Sequence, residues 1–234
     1  MKGKLIVVEG TDCSGKETQT KLLIERLTQD GIKVQRLSFP MYDTPTGKII
    51  GACYLGKEYL CKELFKNEIN GWFSEGASNV DPYVASDLFA ADRRYNKPKI
   101  EKLLNSGVNV ILDRYAGSNM AHQGGKIANK EERLKLFKMI EEKEYKINEI
   151  PIPDMTIFLY VPYEFALELK KNRLEKADQH EQNPEHLKHA EETYLQLVDL
   201  YDYSQINCVK DNKLRTIEDI NEEVYNKVKK LLRN

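Results

Sequence analysis

Residues 5–18 read LIVVEGTDCSGKET, and this stretch decides the fold. Leu5, Ile6, Val7 and Val8 form an apolar, mostly β-branched run, the pattern of a short strand buried on both faces of a sheet. Gly10 and Gly15 bracket a tight turn, Lys16 follows directly, and beyond Thr18 the residues Leu22, Leu23 and Leu27 recur at helical spacing. Strand, glycine loop, lysine and helix in that order make a phosphate-cradling loop (P-loop). Its glycines let backbone N–H groups turn inward around phosphate oxygens, the helix N-terminus adds partial positive charge, and the lysine reaches the outer phosphates. An ordinary glycine turn has no need of a lysine at that place. The full motif puts Ser or Thr after the lysine to hold Mg2+, but here Glu17 stands there and Thr18 comes one residue late. Two readings of the metal stay open. Either Glu17 supplies a carboxylate near it, or other residues and the nucleotide phosphates hold it.

Outward from this loop, the 234 residues suffice for one full α/β core, since about 100–200 residues per domain is a soft prior that such folds often exceed. Lys plus Arg number 36 against 37 Asp plus Glu, a net charge of −1 that gives no support to nucleic-acid binding, which shows as a basic excess. The longest apolar runs fall well short of a membrane span, and Met1-Lys2-Gly3 leads straight into the first strand without a signal peptide. The four cysteines form no C-x-x-C pair, so a cytoplasmic, reducing setting is expected.

Along the chain, residues 32–39 (IKVQRLSF) read as a second strand closed by Pro40, and Pro45 starts a short helix. Short helices and loop are expected over 51–80. Pro82 opens a longer helix that Pro98 should kink before it resumes through Leu104. Residues 108–112 (VNVIL) and 156–161 (TIFLYV) are strands, 130–145 a charged amphipathic helix, and 165–173 a helix running into a polar, basic patch. Pro184 restarts a helix whose inner face is Leu187, Ala190, Tyr194, Leu197 and Tyr201; 206–209 is a last short strand. Thr216 caps a final helix with Ile217, Ile220, Val224, Val228 and Leu231 inward. Strands alternating with helices predict a doubly wound parallel α/β sheet with helices on both faces, whose ligands sit beyond the carboxyl ends of the strands.

Two further motifs fall at that edge. VNVILDRY delivers Asp113 and Arg114, a carboxylate suited to Mg2+ or its waters and a guanidinium able to grip a phosphate. In LFAADR, Phe89 and Arg93 are four apart and share a helix face, so a ring and a guanidinium stand side by side to stack on a nucleobase and bond its edge.

The succession EGTDCSGK, SFP, LFAADR, DRYAGSNMAHQGG and a basic patch before the penultimate helix resembles the thymidylate kinases, over residues 6 to about 220. The resemblance implies a single P-loop nucleoside monophosphate kinase domain over residues 1–234 that phosphorylates dTMP to dTDP with ATP and Mg2+. It also implies a homodimer and a mobile helical lid at about 170–182. ATP phosphates would lie on Gly10, Thr11, Asp12, Cys13, Ser14, Gly15, Lys16, Glu17 and Thr18. Asp12 matches the aspartate at the substrate 3′-hydroxyl and acceptor phosphate, Phe39 lines the cleft, and Tyr42 resembles a tyrosine that touches the acceptor phosphate. Phe89 matches the ring that stacks on thymine and Arg93 the arginine on the thymine carbonyl. Arg114 matches the acceptor-phosphate arginine, and Asp113, with Glu17, the metal position. Ser118, Asn119 and Gln123 fall among the residues facing the substrate. His122 stands where the family usually has Tyr or Phe against the sugar, which bears on strictness for deoxyribose. Cys13 replaces a loop arginine found in one class of the family. The missing cation would then come from the lid, where Arg173, among Lys170, Lys171 and Lys176, has the planar fork that grips two phosphate oxygens.

Such an enzyme needs no strong base, because the attacking phosphate oxygen is already anionic; positioning and charge stabilisation by Lys16, Arg114, Asp12 and Arg173 suffice. A deoxynucleoside kinase, or a monophosphate kinase of other or broader specificity, is the alternative. A GTP-dependent switch is disfavoured, since the chain has no N-K-x-D segment.

Overall fold

A computed structural model describes residues 2–64, 72–73, 75–171 and 183–233. Its centre is a five-stranded, all-parallel sheet in the order β2-β3-β1-β4-β5, built from β1 (Leu5–Gly10), β2 (Val34–Ser38), β3 (Asn109–Asp113), β4 (Met155–Tyr160) and β5 (Ser204–Asn207). The chain leaves β1 to one side for β2 and β3, then crosses to the other side for β4 and β5. That reversal opens a crevice beside β1 at the carboxyl ends of the strands.

Helices cover both faces: α1 (Lys16–Gln29), α2 (Pro45–Ile49), α3 (Pro82–Asn105), α4 (Ala116–Gly124), α5 (Lys130–Glu141), α6 (Tyr163–Lys171), α7 (Pro184–Tyr201) and α8 (Ile217–Arg233). Alternate residues of one strand feed different cores. Ile6 and Val8 pack with Leu23 and Leu27 of α1 and Val224 and Val228 of α8, whereas Leu5 and Val7 pack with Ile100 and Leu104 of α3. Leu136, Phe137, Phe158, Tyr194 and Leu197 form a third cluster that seats α4, α5 and α7 on β4. All six residues of β1 are buried, the apolar run Leu5 to Val8 as expected and Glu9 and Gly10 with it.

Several expectations change. Helix α3 runs through Pro98 as one element, and α2 continues into a π-helical turn, Ile50–Tyr54. The charged helix at 130 ends its α portion at Glu141 and finishes in a π-helical turn, Glu142–Ile147. The last strand ends at Asn207, and Val209–Lys210 instead pairs antiparallel with Lys213–Leu214 as a small ribbon, β6 and β7. Thr216 does cap α8, accepting from Asp219 N at 3.1 Å, but Ile217 at the helix start is half exposed rather than inward. Helix α4 has no forecast in the sequence reading. Among the described residues no helix is long and apolar enough to cross a membrane.

Candidate active site

The glycine loop leaves β1 at Gly10 and is pinned at once: Thr11 Oγ1 donates to Val161 O at 2.8 Å and accepts from Val161 N at 3.2 Å. Cys13 (φ 60°) and Gly15 (φ 77°) take left-handed backbone, which turns the chain back onto the start of α1. Inside this turn Lys16 Nζ donates to Gly10 O at 2.9 Å, Thr11 O at 2.8 Å and Ser14 Oγ at 3.4 Å. Burial, with the nearby Arg114 charge, lowers its pKa to about 8.

Beyond the loop, β3 delivers Asp113 and Arg114. Arg114 sits in left-handed backbone (φ 67°) and its N–H bonds Val8 O, which turns the side chain back over the loop. Arg114 Nη2 meets Asp12 Oδ1 at 2.7 Å. Burial alone would raise the Asp12 pKa, but Arg114 and Lys16 outweigh it and hold the carboxyl far below the usual range. Asp113 Oδ2 is taken by Arg36 Nη2 at 2.7 Å, and Arg36 Nε donates to Thr20 Oγ1 at 2.8 Å.

The opposite wall comes from α3 and α4. Phe89 packs edge to face on Tyr54, centroids 5.5 Å apart. Arg93 donates from Nε (2.9 Å) and Nη2 to Glu144 Oε1, an ion pair almost wholly inside the protein. Nη1, on the other edge of the guanidinium, has no partner in a described residue. Helix α4 is docked by the loop itself: Glu9 accepts from Tyr115 N at 2.9 Å, Ser118 N at 3.0 Å and the Ser118 hydroxyl. Gly117 permits this approach, because a Cβ there would lie 3.0 Å from Glu9 Oε1 and 2.8 Å from the Tyr203 hydroxyl. On α4, Asn119 Oδ1 and both amide atoms of Gln123 are buried without a hydrogen-bond partner in the described residues. Polar atoms left in that state are what a ligand edge would satisfy.

One cleft of about 670 Å³ gathers nearly every residue singled out from the sequence. Asp12, Cys13, Ser14, Gly15, Lys16, Glu17 and Thr18 line it on one side, and Phe39, Tyr42, Phe89, Arg93, Asp113, Arg114, Ser118, Asn119, His122 and Gln123 on the other. Gly10 and Thr11 shape the loop from behind. Arg173, Lys176 and most of the expected lid lie outside the described residues. Glu17 is at the mouth, but its carboxylate is mostly exposed and pairs with Lys21 at 2.7 Å. Arg36, Lys57 and Tyr59 also line the cleft, and the sequence reading missed them. Arg36 had one signal, a lone charge inside a strand two residues before Ser38. Glu9 had another, a carboxylate ending an apolar strand.

A sequence model of the family described as thymidylate kinase matches residues 8–67 and 62–224. The chain belongs to the thymidylate kinase family. It is 31% identical to the thymidylate kinase of Plasmodium falciparum (isolate 3D7) over 98% of this chain and 91% of that one. It is also 31% identical to a probable thymidylate kinase of Methanosphaera stadtmanae, over 97% and 98% of the two chains. Thymidylate kinase from Candida albicans has a similar solved structure, with a TM-score of 0.72, 24% identity, and coverage of 98% of this chain and 92% of that one. As a thymidylate kinase family member the chain is a phosphotransferase that phosphorylates dTMP.

Proposed function

We propose that this cleft, within one kinase domain, transfers the γ-phosphoryl of ATP to the phosphate of dTMP, giving dTDP and ADP, with the residue roles that follow. The observation that carries the reading is the Asp12–Arg114 pair, which joins the phosphate loop to the carboxyl end of β3 in the same cavity that Phe89 and Arg93 line. Lys16 and the loop amides hold the ATP phosphates, and Arg114 holds the acceptor phosphate in line with them. Asp12 keeps Arg114 aimed and faces the sugar. Phe89 stacks on the thymine, the Nη1 edge of Arg93 meets its carbonyl, and Asn119 and Gln123 supply the remaining donors and acceptors. Arg173 supplies the lid cation that the loop, with Cys13, does not.

Among the described residues no group of three or more His, Cys, Asp or Glu side chains is poised for a metal ion. Mg2+ needs no such group, since it takes one or two carboxylates and completes its shell with waters and phosphate oxygens. Asp113 fits as the single carboxylate, with Arg36 orienting it; Glu17, turned to Lys21, fits poorly. When bound, Mg2+ neutralises the charge on the β- and γ-oxygens. Everything else is positioning: attacking and transferred groups held together in a site shielded from water.

A homodimer acting in the cytoplasm completes the reading. The outer face of α3 exposes Tyr83, Val84 and Tyr95, and the four cysteines carry free thiols. Sedimentation at micromolar concentration checks the dimer. The deciding experiment measures ADP release with a panel of nucleoside monophosphates plus thymidine. The expected outcome is fastest turnover with dTMP; turnover of thymidine with none of dTMP would overturn the assignment.

A further inference from the structure

Two histidines stand one behind the other beneath Arg114. Arg114 Nη1 lies 3.3 Å from His122 Nε2, and His122 Nδ1 lies 3.2 Å from His186 Nε2. The two imidazole planes lie within 19° of parallel, with centroids 5.4 Å apart. A guanidinium has only donors, so His122 Nε2 must accept. A neutral imidazole carries one N–H, so the His122 proton sits on Nδ1 and is donated to His186 Nε2. His186 in turn carries its own proton on Nδ1. The cation at the head of the row thus dictates every direction along it.

The protonation states agree with this polarity. Burial pushes the His122 pKa down to about 3, and burial together with the Lys126 charge pushes His186 down to about 4, so both rings are neutral at working pH. A charged His122 would set N–H against N–H and cation against cation. Two apolar rings would fill the same space beside Tyr194, but they would leave Arg114 Nη1 and its neighbours without this bond.

His186 belongs to the first turn of α7, where the Asn183 side chain caps its N–H at 3.1 Å and donates to Ser78 Oγ at 3.2 Å. That turn immediately follows residues 172–182. We propose that His186 is a positioning residue: it fixes the tautomer and ring plane of His122, which holds one edge of the Arg114 guanidinium so that the other edge meets Asp12 and the acceptor phosphate. The acceptor-phosphate part rests on the function proposed above; the tautomers do not. The row also ties the start of α7, where the expected lid ends, to the arginine at the reacting group.

The test begins with the unmodified protein. Long-range 15N–1H correlations of the histidine rings, assigned by loss of signal in His122→Phe and His186→Phe, should show both His122 and His186 as neutral Nδ1–H tautomers. A protonated His122, or one with its proton on Nε2, would overturn the proposal whether or not either variant folds well. In steady-state kinetics His186→Phe should lower kcat/KM for dTMP about five- to tenfold, the worth of one hydrogen bond, and leave KM for ATP within about twofold. His186→Gln, whose amide oxygen can accept from Nδ1–H, should recover to within about threefold of wild type. Equal losses in the Phe and Gln variants, or a loss shared by ATP, would reduce His186 to packing. Expected tautomers in a protein that ignores dTMP would sink the proposed function and leave the row standing. Opposite tautomers in a protein that phosphorylates dTMP would sink the row alone.

Discussion

Two buried cations face the same cleft and are held in opposite ways. Lys16, 7% exposed, gives its protons to neutral oxygens of its own loop, whereas Arg93, 2% exposed, lies against the Glu144 carboxylate. Burial lowers the Lys16 pKa to about 8; burial also opposes the charge of Arg93, but Glu144 overrides it and the pKa rises. A cation hydrogen-bonded only to neutral oxygens, with its nearby carboxylates engaged elsewhere, is a site for an anion still to come. A cation buried against a carboxylate is already neutralised and serves as a fixed donor. The loop is therefore built at a cost in stability that function recovers, while the Arg93 anchor of the base wall has its charge met before any ligand arrives.

The largest effect should come from Lys16→Met. Turnover should fall at least about a thousandfold, the scale of a cation acting on a transferred phosphoryl. The fold should gain stability, because a shift from 10.5 to about 8 at about 1.36 kcal/mol per unit costs wild type up to about 3 kcal/mol, less what the loop carbonyls return. Between pH 8 and 10.5 the folded protein binds fewer protons at this site than the unfolded chain, so wild-type stability rises across that window and the advantage of the variant shrinks. Urea denaturation at both ends checks it, and a methionine variant less stable than wild type at pH 7 would break the contrast. Glu144→Ala should do the reverse, destabilising the protein by about 3–5 kcal/mol because Arg93 is left buried and unpaired. A loss below about 1 kcal/mol in the same assay would mean that Arg93 has another partner ready.

Arg173→Ala sharpens the contrast by asking whether Lys16 works without help. We expect kcat to drop about a hundredfold with little change in either KM, since a lid cation would act mainly as charge develops, and Arg173→Lys to recover only part. A kcat within about threefold of wild type would pass the role to Lys176. Phe89→Ala should be the mildest, raising KM for dTMP about ten- to hundredfold, as the loss of a base stack of about 1–3 kcal/mol requires. An equal rise in KM for ATP would remove Phe89 from the base wall.

The loop was legible because all its chemistry is contiguous. Residues 9–18 carry strand end, turn and lysine in one reading frame, and backbone geometry does the rest. The base wall was legible only in its endpoints. Phe89 and Arg93 could be paired by helical spacing, but Glu144, which fixes Arg93, lies 51 positions away on a π-helical turn that has no sequence signature. Arg36 and Asp113 meet across neighbouring strands 77 positions apart, so the carboxylate expected at the metal carried an unforeseen partner. Helix α4 escaped because AGSNMAHQG holds one large apolar residue, Met120, among small and polar ones; eight of its nine residues are buried. Its N-terminus is held by Glu9, from the far end of the chain, rather than by a local cap.

The placement of β1 at the middle of the sheet sets a timetable for synthesis. Its edges are closed by β3 and β4, and the loop that follows is tied to Val161, 150 positions downstream of Thr11. At about 5–20 residues per second, a ribosome needs on the order of 10 s or more to cover that interval. Throughout it the nascent chain carries a complete phosphate-loop sequence without the Val161 backbone that pins Thr11. A loop made well before its anchor is thus among the last parts of the fold to become able to bind a nucleotide.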